Sequence, residues 1–221
     1  MATRLLLAGH QVVALGRPDQ VAAVRTSGFR VQEGAQVATA RPTAIVSAVA
    51  EAYGFPQVFD LAILAVKAYD VEEVLQAFPT ASRPMPRKVM TVQSGVGIEE
   101  LAAGILGRER ILAAEVTVPI SLPTRGSVVV EAAGRGLALA SLVAGEPLDE
   151  WVTLFTGAGL PATAYDDYRA IKWSGLILRL AANATCAILN RKPGVVFKHG
   201  ALFQLEREML REALAVMKAL D

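Results

Sequence analysis

Two hydrophobic periods divide this chain. Over its first two thirds, short apolar runs alternate with segments whose apolar residues recur every three or four positions. RLLLAGH (4–10) reads as the last turn of a helix ended by Gly9, and QVVALG (11–16) as a strand. PDQVAAVRTSG (18–28) predicts a helix opened by Pro18 and stopped by Gly28. FRVQ and QVATA are short strand candidates. FDLAILAVK (59–67) is a near-continuous apolar run, the mark of a strand covered on both faces. YDVEEVLQAF (69–78) has helical spacing, with Asp70 expected as N-cap and Glu73 completing an acidic capping box. RKVMTVQSG (87–95) and RILAAEVTV (110–118) predict buried strands on either side of a helix, IEELAAGILG (98–107). GSVVVEAAGRGLALASL (126–142) predicts a β-hairpin turning at GRG. The alternation of strand and helix predicts a parallel sheet with helices on both faces.

The pattern changes near residues 143–147. EPLDEWVTLFTGAG (146–159) predicts a helix ended by glycine, DDYRAIKWSGLILRLAANATCAILN (166–190) one long helix, and FQLEREMLREALAVMKAL (203–220) an amphipathic helix. LPATAY is read as a short connection. The expected organisation is an α/β domain over residues 1–145 and an all-α domain over 146–221.

Composition narrows the function classes. The chain has 221 residues, 53% apolar and 19% charged, enough for a sizeable core. A net charge of +1 gives no global field that would recruit nucleic acid. Apolar stretches are broken well short of a membrane span, and RLLLAG is too short for a secretory core. The single cysteine, Cys186, excludes an internal disulfide and reads as small core filler. His10 and His199 stand far apart, so no metal site is expected. A cytoplasmic protein acting on a small molecule is the expectation.

In an open parallel sheet, ligands sit beyond the carboxyl ends of the strands. Arg17, Lys67, Ser94-Gly95 and Pro119-Ile120 follow four predicted strands. An arginine after the second strand of a nucleotide-binding sheet is where a 2′-phosphate is gripped, because guanidinium matches phosphate with two parallel hydrogen bonds. Arg17 therefore points to NADP over NAD if a dinucleotide binds, the alternative being a solvated charge. Such a fold needs a first strand and a G-x-G-x-x-G loop before its first helix. RLLLAGH would be the end of that helix, so the sequence is expected to begin inside it, without strand or loop.

With LLLAGHQVVALGR, FDLAILAVKAYD, VQSGVGIEEL, EPLDEWVTLFTGAGLP and DYRAIKWSGLILRLAANATCAIL in this order and spacing, the chain resembles the ketopantoate reductase (2-dehydropantoate 2-reductase) family over nearly its whole length. LEREMLREALAVMKAL is similar to the family's second-domain helix. The resemblance implies a Rossmann-like domain lacking its first strand, an incomplete helical domain, and a site in the cleft between them. It implies NADPH-dependent reduction of a 2-oxo acid to a 2-hydroxy acid, ketopantoate to pantoate in pantothenate biosynthesis. It assigns Arg17 and Lys67 to the adenosine phosphate side of NADP, Ser94 and Gly95 to nicotinamide and substrate, Ile120 to a cofactor contact, and Asn183 to substrate. Relative to the family, the chain is expected to be cut short at both ends, and a homodimer is expected from the apolar surface that an incomplete helical domain exposes.

Two departures bear on chemistry. The family's catalytic lysine stands two residues after the tryptophan; here that place is Gly175, and the asparagine four residues on is Arg179. Ketone reduction needs a donor to the developing alkoxide, and glycine is none. Lys172, one helical turn earlier, is the candidate acid, against the alternative of a surface lysine. Arg179 can fork a substrate carboxylate, or pair with Glu206 or Glu208. Asn183 can bind substrate or be a buried amide. The expected activity of the chain is therefore weak or nil, the alternative function being a non-catalytic binding or dimerisation module.

Overall fold

The computed structural model describes residues 1–220 apart from 57, 79–84, 133 and 135. In chain order the elements are α1 (Ala2–Leu7), β1 (Val13–Leu15), α2 (Pro18–Ser27), β2 (Phe29–Glu33), β3 (Gln36–Ala40), β4 (Ala44–Val46), α3 (Val49–Ala52) and β5 (Leu61–Leu64). There follow α4 (Val71–Gln76), β6 (Lys88–Thr91), α5 (Ile98–Leu106), β7 (Ile111–Val116), β8 (Ile120–Thr124), β9 (Ser127–Val130) and β10 (Leu137–Ser141). The remainder is α6 (Asp149–Gly157), β11 (Ala162–Tyr165), α7 (Tyr168–Leu180), α8 (Asn183–Leu189), α9 (Pro193–Lys198) and α10 (Gly200–Leu220).

The main sheet has the order β11-β10-β7-β6-β5. Its ladders are parallel except β10 against β7. β1 pairs in parallel with β4 alone, and β5 with β6 alone, among the described residues. These parallel-dominated sheets with their helices form the Rossmann-like arrangement that the sequence predicts. A third sheet, β3-β2-β9-β8, lies apart.

β6 and β7 are buried on both faces along nearly all their length, Lys88 and Glu115 included, each of these in an ion pair. Side chains alternate across the sheet. Val89, Ile111 and Ala113 pack with Val71, Leu75, Ala102 and Ile171 on one side. Met90, Leu112 and Ala114 pack with Leu5, Trp151 and Phe155 on the other. The core thus lies in two layers about the middle strands, fixing the strand ends that border the groove described below.

Four sequence expectations are corrected. Residues 126–142 form no hairpin: β9 lies between β2 and β8, while β10 lies between β7 and β11. Both strands are apolar enough to need neighbours at each edge, and these are in different sheets; Arg135 of the expected turn lies outside the described residues. Residues 162–165, read from sequence as part of a short connection, form β11, parallel to β10. The long helix over 166–190 breaks at Ala182, whose φ is +59°, and the freed Ala182 N–H donates to Glu206 Oε2 at 2.6 Å. Asp70 makes no capping hydrogen bond, because it sits in helical geometry within the turn Ala68–Asp70 rather than in the extended geometry of an N-cap. No helix among the described residues is long and apolar enough to cross a membrane.

Phe155 is fully buried in the second layer, whereas Ile188 is exposed. Phe155→Ala is expected to cost about 3–5 kcal/mol in urea unfolding, and Ile188→Ala less than about 0.5 kcal/mol.

Candidate active site

One open groove runs past the carboxyl ends of β1, β5, β6 and β7. Arg17, Lys67, Ser94 and Ile120 line it, as do Glu115, Gly175 and Arg179. Arg17 is held by the turn into α2: its backbone N–H donates to Gln20 Oε1 at 3.3 Å, and Pro18 opens the helix. Lys67 precedes the turn Ala68–Asp70 in extended geometry. Both side chains are exposed, and neither makes a salt bridge among the described residues. Two cations without a salt bridge among the described residues thus border the same broad groove, and each can meet a phosphate. Ser94 is exposed, and Gly95 has φ +106°, a conformation that favours glycine at this turn.

The wall opposite is α7. Asp167 caps it, accepting from Arg169 N at 2.8 Å and Ala170 N at 3.2 Å. Lys172 is only 1% exposed, so neither the surface alternative nor direct access to the groove holds for it. Its ammonium donates to Gln93 O at 2.5 Å and Ala114 O at 3.1 Å and pairs with Glu99 Oε1 at 3.2 Å. Two carbonyl oxygens and one carboxylate thus surround the ammonium. Glu99, equally buried, also accepts from Thr91 Oγ1 at 2.7 Å. Gln93 is fixed in turn, donating to Leu64 O and Val66 O.

Arg179 pairs with Glu115 Oε1 at 2.6 Å, and its Nη2 also reaches Val116 O at 3.4 Å. The expected partners Glu206 and Glu208 are engaged elsewhere: Glu206 with Ala182 N, Glu208 with Arg211 and Gln204. Asn183 opens α8 as an exposed residue that does not line the groove, so it is no buried amide. Cys186 is half-buried on α8.

Sequence reading missed Glu99, Gln93 and Glu115. Glu115 did carry a signal: a charge inside the apolar run AAEVTV must find a partner or not be buried. Which partner it finds depends on α7, more than fifty residues on, and no local pattern encodes that.

The description Ketopantoate reductase PanE/ApbA matches residues 1–139, and Ketopantoate reductase PanE/ApbA C terminal matches residues 167–221. A 2-dehydropantoate 2-reductase of Archaeoglobus fulgidus is 27% identical over 218 residues, covering 96% of this chain and 67% of the relative. The crystal structure of a PanE/ApbA family ketopantoate reductase from Ralstonia eutropha JMP134 superimposes with a TM-score of 0.80 at 27% identity, covering 98% of this chain and 69% of that one. D-mandelate dehydrogenase with NADH and anilino(oxo)acetate shares the fold, with a TM-score of 0.79 at 19% identity over 97% of this chain and 69% of that one.

Removing one member of a buried ion pair strands the other. Lys172→Met is therefore expected to lower stability by about 3–5 kcal/mol in urea unfolding. The double variant Lys172→Met/Glu99→Gln recovers most of that loss if the two groups act as a pair.

Proposed function

This chain belongs to the ketopantoate reductase family, and on that premise we propose that it binds NADPH and reduces the ketone of a 2-oxo acid, ketopantoate being the first substrate to test. The observation that carries the reading is the pair of unpaired cations, Arg17 and Lys67, on the same groove as Ser94 and Arg179. In this reading Arg17 and Lys67 hold the 2′-phosphate end of NADP. Ser94 and Gly95 stand beside the reacting end, and Ile120 contacts the cofactor. The described sheet up to Tyr165 carries the cofactor side, and α7 closes the substrate side. Asn183 would reach substrate only if α8 moved. Ile188 and Leu205, exposed on α8 and α10, give the apolar surface through which a homodimer would form.

When bound, the cofactor supplies hydride to the carbonyl carbon. The chain's own residues must then stabilise negative charge on oxygen and deliver a proton. Gly175 can do neither, and Lys172 is buried away from the groove, bonded to two carbonyls and paired with Glu99. Arg179 remains as a charged donor. It can stabilise an alkoxide but is a poor proton donor at neutral pH, so the proton comes from water. Loss of a positioned general acid lowers rate by about 10²–10⁴. Slow turnover is thus built into the reading. The burial of Lys172 away from the groove also favours a second reading, a nucleotide-binding module with no turnover.

NADPH fluorescence titration is the test. Arg17→Ala is expected to weaken NADPH about tenfold, roughly 1.4 kcal/mol, and to leave NADH unchanged. An equal loss for both nucleotides, or none, overturns the assignment of Arg17. NADPH oxidation on adding ketopantoate separates the slow enzyme from the silent module.

A further inference from the structure

β1 and β5 are each bonded along one edge only among the described residues, β1 to β4 and β5 to β6. Successive residues of a strand turn their backbone groups to opposite edges. On β1, Val12 O accepts from Thr43 N at 2.8 Å and Gly16 N donates to Val46 O at 3.3 Å. Val13 and Leu15 therefore turn N–H and C=O to the edge away from β4. On β5, Asp60 O accepts from Lys88 N at 3.0 Å and Leu64 O from Gln93 Nε2 at 2.6 Å, both on the β6 side. Leu61 and Ile63 therefore turn theirs away from β6.

The two open edges border one gap. Val13, Ala14 and Leu15 line the same groove as Leu61, Ala62 and Ile63. α1 covers one face: Leu5 packs in the layer that holds Val12, Leu61 and Ile63. α3, which lies against β1 and β4, covers the other: Val49 packs in the layer that holds Ala62 and Leu64. The groove has a volume of about 3630 Å³, well beyond the roughly 300–1,000 Å³ of a small-molecule site. Leu61, Ala62 and Ile63 are only half-buried, whereas every residue of β6 is buried. An apolar strand with an open edge is a template for another strand. Two such edges facing one gap offer donors and acceptors on both sides, a pattern that an extended backbone meets.

We propose that the gap between β1 and β5 is a strand-binding site, which takes one extended apolar segment of another polypeptide running parallel to both. Arg17 and Lys67 follow the carboxyl ends of the two strands without a salt bridge among the described residues. A parallel segment therefore gains from an acidic residue after its apolar run. The inference goes beyond the reductase reading and does not rest on it.

Amide hydrogen exchange by NMR on the full chain tests this with the peptide acetyl-Lys-Val-Ile-Val-Ala-Val-Glu-amide. The peptide is expected to slow exchange of the Val13, Leu15, Leu61 and Ile63 N–H groups at least about tenfold. Proline in place of its central valine is expected to abolish the protection, since proline donates no hydrogen bond to a ladder. Exchanging its terminal Lys and Glu sets like charge against Arg17 and Lys67 and is expected to cut protection about threefold. Ile63→Pro removes an N–H facing the gap and none bonded to β6, and is expected to end protection of Val13 and Leu15. Val13→Pro, read at Leu61 and Ile63, serves if that variant does not fold. No protection overturns the proposal, as does equal protection by the proline or end-exchanged peptide, or undiminished protection in a folded variant. Slow exchange of the four groups without peptide, in a chain with the mass of a dimer, also overturns it, because a second copy then fills the gap.

Discussion

The buried ammonium of Lys172 is the tie on which the placement of the groove depends. It joins four elements: α7, which carries it; β6 through Gln93 O beyond its end; β7 through Ala114 O; and α5 through Glu99. Two of those acceptors are themselves held, Glu99 by Thr91 Oγ1 and Gln93 by the carbonyls of Leu64, the last residue of β5, and Val66. Enclosing an ammonium and a carboxylate costs several kcal/mol per ion unless each finds partners in good geometry. The network therefore tolerates one seating of α7 on the sheet and few others. Gly175 and Arg179 follow Lys172 by one and two turns on the same helix face. Where they meet the groove is thus settled by a pair that never touches it.

Much of the sheet was legible because its strands are short and largely apolar, as at Leu61–Leu64 and Lys88–Thr91. Gly28 and Gly107 end α2 and α5 with positive φ, and the sequence places those stops correctly. The failures share one cause, which is that partner choice is not local. Nothing in SVVV or LALAS says that they belong to different sheets. The break at Ala182 has no glycine or proline to announce it; a non-glycine residue sits at positive φ because Glu206, on a distant helix, receives its N–H. β11 was hidden because ATAY is short and only half apolar, and pairing with β10 supplies what its composition lacks.

The two ends of the site differ in the same way. Arg17 and Lys67 could be singled out from sequence because a cation directly after a strand is a positional signal, and topology brings such positions together. Lys172 could be named but not placed: helical spacing puts it on the face of Gly175 and cannot say that Glu99 and two carbonyls enclose it. Arg179 was expected in an ion pair on a helix face, and its partner proved to be a strand residue.

Exposure separates what these charges can do. Arg17 and Lys67 stand in water, where a cation keeps its hydration until a phosphate arrives, and the attraction is screened by salt rather than opposed by burial. Lys172, Glu99 and Glu115 lie where water is largely excluded, so each charge has to be cancelled on the spot, Glu115 by an Arg179 that is itself partly exposed. A lysine at 175 would have needed its own counter-charge there; glycine with Glu115 instead admits an acid that neutralises Arg179. The exposed cations and the enclosed charges have no partner in common among the described residues, so a change in one set leaves the other in place.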